Sequence, residues 1–153
     1  MKPLALGLAL VALALGGPAA AHEYRLGELS VGHPWSRPAG KGMTGAGFLS
    51  VTNAGSTPDV LLAVETPAAR RVEIHQSSTA GGIMRMRKLK RLTIPAGGKV
   101  TLQPGGNHLM MLKLTRPFAA GDKVPATLVF ERAGRVEVSF AVQASVPERK
   151  HGH

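Results

Sequence analysis

The sequence has 153 residues and not one cysteine. That excludes a disulfide framework, a thiolate zinc site and a lipid-anchored cysteine at a processing point. Aromatic side chains are scarce, with one Trp, one Tyr and four Phe. So few rings give little surface for base stacking, which argues against nucleic acid as a partner despite the charge. Acidic residues are also few: 9 Asp and Glu stand against 19 Lys and Arg, a formal net charge of +10. A chain this basic suits anionic membrane surfaces or acidic patches on another protein. Long apolar runs are missing too. The only sustained one, Leu4 to Leu15, is twelve residues, short of the roughly 20 that a membrane-crossing helix needs.

That short run reads instead as an export signal. Met1-Lys2-Pro3 is a basic start, Gly16-Gly17-Pro18 breaks the apolar stretch, and Ala19-Ala20-Ala21 supplies the small residues of an A-x-A cleavage site. Residues 1–21 are therefore expected to be a signal peptide cleaved after Ala21. A domain over residues 22–147 and a flexible tail over 148–153 would remain, with no transmembrane segment in the mature form. A domain of this length can close one core.

What the chain does have is soft-metal ligands. His75 is followed after ten residues by Met86, and after twenty-one more by His108-Leu109-Met110. Imidazole nitrogen and thioether sulfur together suit monovalent copper, a soft cation that prefers polarizable neutral donors. No carboxylate punctuates the set, which argues against calcium, magnesium or manganese. In an oxidising compartment a thiol ligand is readily lost to disulfide, while methionine keeps a soft donor, exposed only to sulfoxide formation. The imidazoles must shed any proton to bind, so uptake should weaken in acid. No acid–base pair, activated nucleophile or phosphate-cradling glycine motif accompanies these residues, and the chain is expected not to be an enzyme.

The body reads as short strands broken by turns. Gly45 to Asn53, Val60 to Val64, Arg70 to His75, Leu92 to Ile94, Val100 to Leu102, His108 to Leu114, Val124 to Glu131 and Val136 to Val142 carry strand-like patterns. With 19 Gly and 11 Pro at the breaks, an antiparallel all-β sandwich or small barrel is expected. His108 and Met110 then share a face, because strand side chains alternate with a period of two. Met111 turns inward, and His75 lies opposite the apolar Val72 and Ile74. Met84 shares a face with Met86 and is a rival for its place. His33 is expected to be structural, at the end of the first strand. Met43 in its glycine-rich loop is expected to be incidental.

The spacing His-x10-Met-x21-His-x-Met resembles the signature of the PCuAC family of copper chaperones. Trp35-Ser36-Arg37-Pro38, Gly45-x-Gly47-Phe48-Leu49-x-Val51-x-Asn53, Asp59-x-Leu61-Leu62, Pro95-Ala96-Gly97-Gly98 and Pro104-Gly105-Gly106-x-His108 extend the resemblance from about Val31 to Val142. Phe48 departs from the tyrosine frequent at that position. The resemblance implies a cupredoxin-like Greek-key β-sandwich in the periplasm, with Cu(I) held by His75, Met86, His108 and Met110. It favours Met86 over Met84. It further implies delivery of copper to the binuclear centre of a haem-copper respiratory oxidase, with the oxidase's copper-binding subunit as partner and a Sco-type thiol protein as an associate.

Other readings stay open beside that one. The same site could sequester copper for resistance with no dedicated acceptor. The chain could also be a basic polyanion-binding module whose His and Met residues are incidental. His22, as a new N-terminus, could chelate Cu(II) through its α-amino group and imidazole. The tail Glu148-Arg149-Lys150-His151-Gly152-His153 offers two imidazoles for a second copper, as Cu(II), by analogy with His- or Met-rich tails in similar family members.

Overall fold

The computed structural model describes residues 23–144. The expected signal peptide, His22 and the tail histidines His151 and His153 lie outside the described residues. Within them the chain forms eleven strands and no helix. They are β1 (Glu23–Leu26), β2 (Leu29–Ser36), β3 (Gly45–Asn53), β4 (Asp59–Glu65), β5 (Ala69–Ala80), β6 (Ile83–Leu89), β7 (Leu92–Ile94), β8 (Lys99–Leu102), β9 (His108–Leu114), β10 (Lys123–Phe130) and β11 (Gly134–Val142). Three of them begin and end where the sequence pattern places them: β3, β7 and β9.

Hydrogen bonding links the strands in the order β6-β5-β9-β3-β2-β11-β10-β4-β7, with β1 added to β2 and β8 to β3. The end strands β6 and β7 are not paired with each other, so the sheet does not close into a barrel. It folds instead around one core that takes Ile74, Leu109 and Met111 from one half and Leu61, Ile94, Leu128 and Phe140 from the other. One pairing differs from the antiparallel expectation. β2 and β11 run parallel, with Trp35 beside Ala141 and Ser36 beside Val142. Hairpin signals specify only antiparallel neighbours close in sequence, and this pair joins the two ends of the domain.

The inward face of β3 is set by alternation: Gly45, Gly47, Leu49, Val51 and Asn53 are all buried. Asn53 then works as a loop clamp. Its Oδ1 accepts from Gly55 N at 2.9 Å, while its Nδ2 donates to Thr57 O at 2.9 Å and to Ile94 O at 3.3 Å. His33 lies inside β2, not at a strand end. It is exposed, with φ of 46°, at the irregularity between Gly32 and Trp35 where the β2–β3 register shifts. A bulge of this kind turns one residue out of the ladder, which explains how a histidine fits into an otherwise buried strand.

Asp59, buried at the start of β4, closes the far end of the fold. Its Oδ1 accepts from Val60 N at 2.7 Å and Arg132 N at 2.9 Å, and its Oδ2 from Ala133 N at 2.9 Å. These bonds tie β4 to the turn between β10 and β11. Replacing Asp59 by Ala would strand those amide donors, and hydrogen bonds to a buried charge are worth about 1.5–3 kcal/mol each. We expect Asp59→Ala to lower the unfolding free energy by about 3 kcal/mol in a urea titration. A loss of under about 0.5 kcal/mol, the usual range for a surface change, would contradict that role.

Candidate metal centre

β5 pairs with β9 on one side and with β6 on the other, and both registers are antiparallel. His75 lies opposite His108, and Glu73 opposite Met110. Across the other ladder, His75 lies opposite Lys88, Ser77 opposite Met86 and Thr79 opposite Met84. Residues directly across a sheet share a face, as do residues two apart on one strand. Glu73, His75, His108, Met110, Lys88 and Met86 therefore occupy one patch on the outer face. The His75 and His108 ring centroids are 5.8 Å apart. Ile74, Leu109 and Met111 project from the other face and are buried in the core.

Register also separates the two rival methionines. Met86 is one step diagonal from His75, a spacing of about 7–8 Å across a sheet. Met84 is two residues further along β6, about 7 Å more at the rise of a strand. Both are exposed, Met86 at 54% and Met84 at 67%. The hairpin that carries them stands beyond the end of β9, which pairs β5 only as far as His75. Gly81 and Gly82, with φ of 62° and 78°, form the two-residue turn between Ala80 and Ile83. That turn needs left-handed backbone at both central positions.

The opposite wall comes from β9 and the turn before it. β8 and β9 both pair with the same edge of β3, and residues 103–107 leave that edge and return to it. Gln103 N donates to Asn107 O at 2.9 Å, and Gly106 N to Gln103 O at 3.0 Å. Pro104 and Gly105 take the two central positions of this turn, with Gly105 at φ of 81° where a type II turn calls for glycine. The turn brings Gly106 O to 3.0 Å from His108 Nδ1. A carbonyl can only accept, so Nδ1 carries the proton and Nε2 keeps a free lone pair. On the far side of β9, Ala46 lies opposite Met110 and offers only a methyl group beside the thioether. Further along the same face of β3, Phe48 is buried against Trp35, with centroids 4.5 Å apart. The departure from tyrosine at this position leaves no hydroxyl to satisfy there.

One residue of this patch escapes a reading of metal ligands by spacing. Glu73 Oε2 is 2.9 Å from His75 Nε2, and Glu73 Oε1 is 3.0 Å from Arg71 Nε and 3.2 Å from Lys88 Nζ. The expectation that no carboxylate punctuates the set therefore fails in three dimensions. The available signal is strand alternation, since Glu73 is two residues before His75. The hydrogen bond from His75 holds the Glu73 carboxyl below its ordinary range, helped by Lys88 and Arg71 and opposed by burial. With Nε2–H donating to Glu73, His75 keeps its Nδ1 lone pair free. Each histidine thus has one nitrogen anchored and one available, as is usual for a metal-binding imidazole.

The basic run Arg85-x-Arg87-Lys88-x-Lys90-Arg91 around Met86 is also divided by alternation. Lys88 shares the face of Met86, whereas Arg85 and Arg87 point to the other side of β6. Arg91 is paired with Glu131 at 2.6 Å. The run therefore divides between the two faces of β6 and the residues that follow it. Among the described residues no group of three or more His, Asp or Glu side chains is placed to hold a metal ion. A shell on this face would have to draw on the thioethers. Two imidazoles and two thioethers are a donor set for a soft, singly charged cation.

Solved PCuAC domains share this fold. The copper-bound PCuAC domain from PmoF2 is 30% identical to this chain, covering 81% of it and 99% of that domain, with a TM-score of 0.70. The apo PCuAC domain from PmoF1 is 32% identical, covering 81% and 100%, with a TM-score of 0.70. The Cu(I) form of DR1885 from Deinococcus radiodurans is 27% identical, covering 84% and 85%, with a TM-score of 0.62. The chain belongs to the LpqE-like family, whose model, described as a lipoprotein family, matches residues 29–142. Lxx21020 of Leifsonia xyli subsp. xyli, which also carries a lipoprotein description, is 33% identical over 139 residues, covering 90% of this chain and 83% of the relative. RP573 of Rickettsia prowazekii is 26% identical over 125 residues, covering 78% and 69%.

The tautomers can be tested without any metal. A long-range proton–nitrogen spectrum of the metal-free protein should show neutral His108 protonated at Nδ1 and neutral His75 at Nε2. The reverse assignment at either ring would place the free lone pair on the wrong nitrogen and contradict the hydrogen bonds to Gly106 and Glu73.

Proposed function

We propose that this protein is a periplasmic Cu(I) metallochaperone that holds one ion between His75, Met86, His108 and Met110. One observation carries the reading: His75 and His108 are direct cross-strand partners, and Met110 and Met86 lie on the same face, each one diagonal step from His75 on either side of it. The kinship with copper-bound PCuAC domains supports it. Under this reading residues 1–21 are the signal peptide and residues 22–147 the copper-carrying domain. The His151/His153 tail is a place for a second copper, as Cu(II). The acceptor is the binuclear copper centre of a haem-copper oxidase, reached through that enzyme's copper-binding subunit, with a Sco-type thiol protein acting alongside.

The chemistry is ligand exchange rather than catalysis. His108 is buried and fixed by Gly106, whereas Met86 sits half-exposed on an edge strand. An incoming donor can displace Met86 first while the histidines still hold the ion, so copper need never be released as a free ion. Thioethers bind without losing a proton, which keeps that first exchange independent of acid–base chemistry.

Anaerobic titration against a Cu(I) chelator tests the assignment. His108→Ala combined with Met110→Ala should abolish competition for Cu(I), and unchanged competition would overturn the site. Met86→Ala should weaken binding at least about tenfold, equivalent to 1.4 kcal/mol, while Met84→Ala leaves it nearly unchanged. Equal losses in the two single variants would contradict the distinction drawn from register.

Delivery has its own test. Arg85 and Arg87 face away from the ligands and can steer the loaded protein toward an acidic acceptor, an effect that salt screens. Transfer to an apo oxidase copper domain should slow as salt rises and in Arg85→Glu/Arg87→Glu, with Cu(I) affinity unchanged. Transfer indifferent to both would reduce this edge of β6 to a solubilising surface.

A further inference from the structure

We propose that Arg71 and Lys88 set the metal specificity of this face by holding the Glu73 carboxylate away from the bound ion. The inference rests on the Cu(I) reading above. Glu73 lies two residues from His75 on one strand and directly opposite Met110. Its side chain is 12% exposed, so it has little water to turn toward. A carboxylate beside two imidazoles is the donor set of a divalent zinc site, and a hard oxygen in the shell would favour zinc or Cu(II) over Cu(I). As placed, Glu73 does not complete a three-donor site with the two histidines; released from the two cations, it would be free to turn toward the histidines and favour a commoner and wrong ion.

The carboxylate is not free. Oε1 is shared between Arg71 Nε and Lys88 Nζ, and Oε2 accepts the hydrogen bond from His75 Nε2. Arg71 approaches along β5 and Lys88 from across the β5–β6 ladder, so the two cations reach the same oxygen from different strands. Exposed ion pairs taken singly contribute little, and both cations are largely in solvent. Here they converge on one mostly buried carboxylate that also anchors a ligand histidine. Two cations against one carboxylate also leave a positive surplus, which repels a doubly charged ion more than a singly charged one. The clamp therefore acts against divalent ions in two ways, by withholding a donor and by charge.

The experiment uses the full mature chain in three forms: wild type, Arg71→Thr/Lys88→Thr, and that pair combined with Glu73→Gln. Each is titrated with Zn(II) by calorimetry and with Cu(I) against a chelator under anaerobic conditions. Arg71 and Lys88 are 68% and 58% exposed, so the fold should tolerate both changes, which circular dichroism would verify. The double variant should gain at least about tenfold in Zn(II) affinity while keeping its Cu(I) affinity within about threefold, 0.65 kcal/mol. Adding Glu73→Gln should erase the zinc gain. Zinc affinity unchanged in the double variant, or a gain that survives Glu73→Gln, would overturn the proposal. Failure of the wild type to compete for Cu(I) would overturn the functional reading itself, in a measurement separate from zinc.

Discussion

The pairing of His75 with His108 across β5 and β9 is the constraint on which the rest of the site depends. A one-residue slip in a strand pair turns every side chain to the opposite face. Such a slip in β9 would expose Leu109 and Met111, which are fully buried, and would push His108 and Met110 into the core. The cost of exposing a large apolar side chain is about 1.5–3 kcal/mol, so two of them fix the register firmly. The hydrophobic core thus positions the polar patch. The Pro104-Gly105-Gly106 turn adds the remaining detail by giving His108 Nδ1 a carbonyl partner.

The patch combines fixed and yielding parts. His108 is buried and anchored to backbone, and His75 is anchored to Glu73. Met86 belongs to an edge strand whose exposed hairpin extends past the end of β9. A carrier has to hold an ion against loss to solvent and still surrender it to a partner. Anchored imidazoles, His108 of them buried, serve the first need and an exposed thioether serves the second.

Much of the fold is legible in the sequence because period-two alternation and turn chemistry are local signals. β3, β7 and β9 carry both, and alternation alone turns Met111 inward. The parallel β2–β11 pair is not legible, because it joins residues more than a hundred positions apart with no turn between them. His33 misleads for a related reason: a bulge interrupts β2 where Pro34 looks like a strand end. At the site, spacing singles out four candidate donors but misses Glu73, since a ligand pattern written in His and Met has no place for a carboxylate. The same alternation that pairs His108 with Met110, applied to Glu73 and His75, reveals it. Applied to β6, it also divides the basic run into two faces.

X-ray absorption on the Cu(I)-loaded protein tests the central claim most directly. The expected result is one copper per chain in a mixed shell of imidazole nitrogen and thioether sulfur, with no carboxylate oxygen. A shell of nitrogen and oxygen without sulfur would contradict it, because neither Met86 nor Met110 would then hold the ion.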